Sequence, residues 1–187
     1  MQHLVAGALV AALLAVPSSA SAATYKIKAF SDDTFGPRVL TINQGNLVKW
    51  VNRGGYHDVD INKPSDYMDT GATTKTGLMA QEYVVAGTFP FYCSVHLPDM
   101  KGTLKVKPTL SRSGSTVTVR LGSVAPTYTH TIQRRRGTSG TWTTSGTSYG
   151  QDSKSFTLSR GTWQFRAKLV KGSTSSNYSP IVSITVP

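Results

Sequence analysis

Apolar and polar residues alternate along this chain in short runs, and the runs end in Gly, Pro, Asn or Asp. A period of two is strand spacing, and helical spacing is weak throughout. In the first half the alternation predicts strands at 25–30, 38–43, 47–52, 57–61, 83–85, 88–93 and 103–106. Gln44-Gly45-Asn46 and Ala86-Gly87 read as hairpin turns. Residues 62–81 keep no clean period and read as a loop with room for a short helix. In the second half strands are expected at 115–121, 128–135, 155–158, 162–169 and 181–186. The fold class is therefore all-β, with one small sandwich or Greek-key barrel followed by a second sandwich.

The amino terminus changes the count of residues available to that fold. Residues 4–16 are almost wholly apolar and are followed by Pro17, two serines and the small-residue run Ala20-Ser21-Ala22. This is the pattern of a signal peptide with an A-x-A cleavage site, although its first residues carry no Lys or Arg. Residues 1–22 are read as the signal peptide and Ala23 as the mature start. No later segment approaches the roughly 20 apolar residues of a membrane span, so no transmembrane segment is expected after cleavage. The expected location is secreted or extracytoplasmic: extracellular, cell-wall-associated or periplasmic.

Charge divides what remains. Residues 23–108 hold ten Lys/Arg against eight acids, whereas 109–187 hold ten against the single acid Asp152. Nearly all of the chain's net charge of +11 thus belongs to the second half. A domain boundary at Lys107-Pro108-Thr109 fits both the shift and the proline.

The chemistry concentrates in FYCSVHLPDMKGTLKV, which holds Cys93, the one cysteine of the chain. Without a partner it forms no disulfide within the chain, so in an oxidising compartment it is buried and inert, paired between molecules, or occupied. His96 follows after two residues and Met100 after three more, a thiolate, an imidazole and a thioether from one tight loop. That is a soft metal-ligand set. A second imidazole is needed, and His57 follows a turn, Asn52-Arg53-Gly54-Gly55-Tyr56, that can lift it to the end of the sandwich where the Cys93 loop emerges. One thiolate, two imidazoles and a weak axial thioether make a blue-copper electron-transfer set. Structural zinc is the competing metal, but its closed sites usually take more than one Cys and no thioether. Three histidines in the mature chain are too few for a multicopper enzyme, and a dicopper centre needs a second Cys. His130 has no other ligand type on its strand and is read as structural.

Residues 24–107 resemble a cupredoxin of the plastocyanin, pseudoazurin and amicyanin group. The resemblance is carried by FGPRVLTINQGNLVKWVN, by YHDVD and by VVAGTFPFYCSVHLPDM before the closing strand GTLKV. It implies a Greek-key β-sandwich holding one mononuclear type 1 copper, with His57, Cys93 and His96 as equatorial ligands and Met100 as the axial one. Three residues separate His96 from Met100, where the family usually has four or two. Asp58 stands where the family often has an Asn that ties the two ligand loops, and either that tie or a solvent-facing carboxylate fits the position. The ring edge of His96 is the implied electron port, with Leu97 and Pro98 as a small apolar docking patch or as ordinary loop residues.

The second half, 109–187, is similar to a fibronectin type III or immunoglobulin-like domain through GTWQFRAKLVKGSTSSNYSPIVSITVP and YTHTIQRRR. Arg134, Arg135 and Arg136, with Arg120, Arg160 and Arg166, make it a candidate binder of anionic cell-envelope polymers, or a module kept soluble by its charge. Export argues against nucleic acid as the partner. The leading reading is an electron carrier, not an enzyme, serving extracytoplasmic redox proteins and attached through its basic module. Copper storage or delivery, and an adhesion module with a secondary copper site, are the alternatives.

Overall fold

The computed structural model describes residues 22–61, 64, 67, 68 and 73–187. The expected signal peptide at 1–22 lies almost wholly outside the described residues, as does most of 62–72. Among the described residues no helix is long and apolar enough to cross a membrane.

The first half contains β1 (Thr24–Phe30), β2 (Thr34–Gly36), β3 (Val39–Asn43), β4 (Leu47–Asn52), β5 (Gly77–Tyr83), β6 (Gly87–Tyr92) and β7 (Lys101–Lys107). Two sheets form, in the orders β2-β1-β4-β5 and β3-β7-β6. The alternation does its expected work within each strand. On β4, Val48, Trp50 and Asn52 turn inward, and on β6 Phe89 and Phe91 do. Cys93 continues that inward face one step beyond the strand. Trp50, Phe35 and Phe91 meet edge-on at the centre. Each such fully buried apolar side chain contributes on the order of 1.5–3 kcal/mol.

Three local expectations change. The turns at Gln44-Gly45-Asn46 and Ala86-Gly87 are not hairpins: β3 and β6 belong to one sheet, β4 and β5 to the other, so both turns carry the chain across the sandwich. β1 claims one edge of β4 in parallel register and β5 the other, which leaves β3 to pair in parallel with β7. Residues 57–61 make isolated bridges instead of a strand, His57 with Thr74 and Asp60 with Tyr92. The strand expected at 83–85 lies earlier, at Gly77–Tyr83, inside the stretch read as a loop. β5 has no residue fully buried, so it carries no period-two signal.

The second half contains β8 (Thr109–Ser113), β9 (Thr116–Arg120), β10 (Thr129–Arg136), β11 (Thr143–Gly146), β12 (Ser153–Thr157), β13 (Gly161–Lys171), β14 (Thr174–Ser175) and β15 (Val182–Val186). One sheet runs β12-β9-β8; the other runs β11-β10-β13, with β14 and β15 both paired to β13. Val117, Val119, Ile132, Phe156, Phe165, Ala167 and Val186 close a second core between them.

The two sandwiches meet in a bonded seam. Only Pro108 separates β7 from β8. Ala86 N–H donates to Leu121 O at 2.7 Å, and Thr88 exchanges two backbone hydrogen bonds with Asn177, at 2.9 and 3.1 Å. Tyr128 and Leu169 from the second half pack into the first core, and Ala86 packs into the second. Gly122, at φ +96°, lies so close to Val85 that a Cβ there would sit 3.0 Å from its Cα.

Among the described residues His130 is the one buried imidazole besides His57. Burial pushes its pKa down to about 4, against weaker opposing pulls from the Gln151 backbone and the Asp152 carboxylate. The unfolded chain takes up that proton near the ordinary value, about 6.5, so folding stability is lost as pH falls from there to about 4 and then levels. The total is about 3 kcal/mol. In urea titrations at pH 7 and pH 4, His130→Phe should lose about that much less stability than the parent on acidification. Equal losses in both proteins would remove His130 from the acid response.

Candidate metal centre

The centre is built from the loop after β4 and the loop after β6. Asn52, buried at the end of β4, accepts from Gly54 N–H at 2.8 Å and donates to Gly55 O at 3.0 Å and to Thr74 O. This side chain folds the Asn52–Tyr56 turn back on itself and turns His57 inward, where it is fully buried. At Gly55, φ is +88° and a Cβ would stand 2.6 Å from His57 Nε2. No other residue leaves the imidazole where it is.

The second loop is closed by its own backbone. Cys93 N–H donates to Met100 O and Met100 N–H donates to His96 O, each at 3.0 Å, around a single 3-10 turn at Ser94–His96. Met100 is thereby buried beside Cys93. Asp58 ties the loops together: its carboxylate accepts Ser94 N–H at 2.7 Å and the Ser94 hydroxyl. Of the two orientations open at Asp58, the buried tie is the one adopted.

Three donor atoms converge. His57 Nδ1 and His96 Nδ1 are 3.2 Å apart, and Cys93 Sγ lies 3.9 Å from the first and 3.5 Å from the second. The point equidistant from all three is about 2.1 Å from each, the length of an ordinary metal–imidazole or metal–thiolate bond, about 2.0–2.3 Å. The outer nitrogens settle the tautomers. His57 Nε2 is 2.9 Å from Gly54 O, which can only accept, so the proton is on Nε2 and Nδ1 offers a lone pair. His96 Nε2 faces the Asp33 carboxylate at 3.4 Å, which favours the same arrangement. Two lone pairs and a sulfur this close repel unless a proton or cation lies among them. Burial pushes the Cys93 thiol up, partly offset by the backbone N–H groups of Asp58 and Val95. Metal entry therefore displaces a proton from sulfur.

The donor set fits a soft transition metal held away from water. His57 is fully enclosed, whereas the His96 side chain is 26% exposed and is the way out. Leu97, 59% exposed, stands beside it and lines an apolar cleft with Pro98, Val39 and Phe91. His57, Cys93 and His96 thus meet, Met100 closes their loop, and His130 lies apart on β10 of the second half, opposite Leu169. Sequence reasoning had noticed the Asn52–Tyr56 turn but not what Asn52 and Gly55 do in it. It missed Asp33 altogether, because a carboxylate in the β1–β2 turn has no local pattern connecting it to His96.

No protein-family model matches the chain. It is 37% identical over 108 residues to plastocyanin from Synechococcus sp. (strain JA-2-3B'a(2-13)), a match covering 50% of this chain and 78% of that protein. Among solved structures it is similar to amicyanin from Paracoccus versutus, at 25% identity, covering 50% of this chain and 86% of that one, with a TM-score of 0.38. It is also similar to auracyanin A, a blue copper protein from Chloroflexus aurantiacus, at 19% identity, covering 46% of this chain and 99% of that one, with a TM-score of 0.35.

The Gly55 contact can be tested directly. Gly55→Ala should push the His57 ring off the cluster and cost about 1–3 kcal/mol of metal-binding free energy. Isothermal titration of the metal-free protein with Cu(II) checks it; unchanged affinity would mean that the ring has room to spare.

Proposed function

Because the chain belongs to the plastocyanin family of cupredoxins, we propose that it is an extracytoplasmic electron carrier whose copper is held by His57, Cys93, His96 and Met100. The family's single type 1 copper, passing between Cu(I) and Cu(II), supplies the redox chemistry. The observation that carries the ligand assignment is the triangle of Nδ1, Nδ1 and Sγ atoms, sized for one ion and aimed inward by protons on the outer nitrogens. The chain's own residues do the rest. Gly54 O and Asp33 hold the two rings at their outer edges, and Asp58 clamps the His57 turn to Ser94, next to Cys93. Rings and sulfur held in this way have little freedom to rearrange between oxidation states, which favours fast electron transfer.

Met100 is assigned the axial place from its buried position at the close of the ligand loop. The exposed edge of His96, flanked by Leu97 and Pro98, is where a redox partner comes closest. Residues 1–22 direct export, 23–108 form the copper domain, and 109–187 form a fibronectin type III-like module, a reading supported by its two facing sheets. The module's charge suits attachment to an anionic surface or partner. Storage or delivery gains nothing from a site this enclosed, since exchange needs an open one.

Reconstitution with Cu(II), followed by absorption and EPR spectra, tests the assignment. The protein should be intensely blue and cycle reversibly. Cys93→Ser should be colourless, because only sulfur bonded to Cu(II) has the covalency for that charge-transfer band; a blue variant would overturn the assignment. Met100→Leu should keep the colour and raise the reduction potential, while Met100→Gln should lower it. Voltammetry showing the same potential in both would take Met100 out of the axial place.

A further inference from the structure

The run Arg134-Arg135-Arg136 is divided by strand alternation. Arg134 turns inward, 4.5 Å over the Phe156 ring, and donates to Ser145 Oγ; Arg136 donates to Arg160 O at 2.7 Å. Arg135 turns to the outer face of the β10–β13 sheet, where the register sets it opposite Gln164 and sets Arg166 opposite Gln133. The two glutamines hold the two arginines crosswise. Arg135 Nε donates to Gln164 Oε1 at 2.8 Å, and Arg166 Nε donates to Gln133 Oε1 at 2.9 Å. Trp142 lies beneath both guanidinium groups, each 4.4 Å from its ring, and Tyr178 lies under Arg166 at 4.5 Å and Lys168 at 5.4 Å.

This is a built array. Each guanidinium is fixed by a ring on its face and an amide at its Nε, while its paired Nη groups have no hydrogen-bond partner among the described residues. That free fork is the geometry that takes a carboxylate, phosphate or sulfate with two parallel bonds. Among the described residues no acid is bonded to it, and Asp152, the one acidic side chain of 109–187, accepts from Ser153 Oγ. On β13 Arg166 and Lys168 hold successive outward positions, about 6.7 Å apart, and Arg135 on the neighbouring β10 stands opposite Gln164, the outward position before Arg166. The three cations thus form a short diagonal run across two paired strands on the outer face of the sheet.

We propose that this face is the docking strip for a linear polyanion, whose oxyanion groups are gripped by Arg135 and Arg166. The inference rests on the reading of 109–187 as an attachment module and gives it a location. A lipid bilayer fits less well, because the aromatic rings here are covered by cations and leave nothing apolar to insert. A folded acidic protein fits less well too, because the strip lacks an apolar centre for an interface.

The test uses the full chain with three probes: polygalacturonate for carboxylate, polyphosphate for phosphate, and phosphatidylglycerol-containing vesicles for a membrane. At physiological ionic strength, where screening acts over about 8 Å, the parent should bind at least one polymer more tightly than the vesicles. Arg135→Gln with Arg166→Gln should weaken that binding by about tenfold or more. A control with the same charge change on the opposite sheet, Arg112→Gln with Arg120→Gln, should weaken it less than about threefold. Trp142→Leu, which leaves charge unchanged, should also weaken it, since the forks lose their platform. Equal losses in the two double variants, or preference for vesicles, would overturn the strip while leaving charge-driven attachment standing. No binding of the parent to any probe would overturn both.

Discussion

Two imidazole nitrogens held 3.2 Å apart beside a buried sulfur are the constraint on which the first sandwich is organised. Three electron-rich atoms do not come together in a protein interior unaided. They are brought there by two loops with little choice of conformation: one folded by Asn52 and a glycine pair, the other closed by backbone bonds from Cys93 N–H to Met100 O and from Met100 N–H to His96 O. Asp58 then joins the two loops through Ser94, next to Cys93. Trp50, Phe35 and Phe91 meet edge-on in the core that Cys93 and Met100 share.

The second sandwich is not an appendage on a free tether. Strand-like bonds between Thr88 and Asn177, the Tyr128 and Leu169 side chains in the first core, and Gly122 against Val85 make the contact between halves continuous. The seam lies at the Ala86–Thr88 end of β6, whereas Cys93 follows its other end. The charge imbalance and the ligand loop, separate signals in the sequence, thus lie on different parts of one joined body.

Most strands were legible because a buried face leaves its period in the sequence. β4 and β6 alternate cleanly and were placed nearly to the residue, as was β13, although its ends extend further. β5 was missed because an edge strand with no fully buried side chain has no period to read, and the short β2, β11 and β14 are below the length at which alternation is visible. The metal centre was legible through residue type. One cysteine with a histidine and a methionine a few residues on is a rare combination, and a second histidine after a glycine turn completes it.

What the sequence determined by itself was chemistry and local backbone: which side chains can ligate a soft metal, where strands run, and where charge accumulates. These are short-range properties, set by residue type and by neighbours within a few positions. Tertiary structure alone decided that the turns at Gly45 and Ala86-Gly87 cross between sheets, that Asp33 faces His96, and that Arg135 and Arg166 share one tryptophan while Arg134 goes inward. Each of those depends on strands far apart in sequence being paired in one register. Pairing is a contest among all the strands for partners, and no single segment records its outcome.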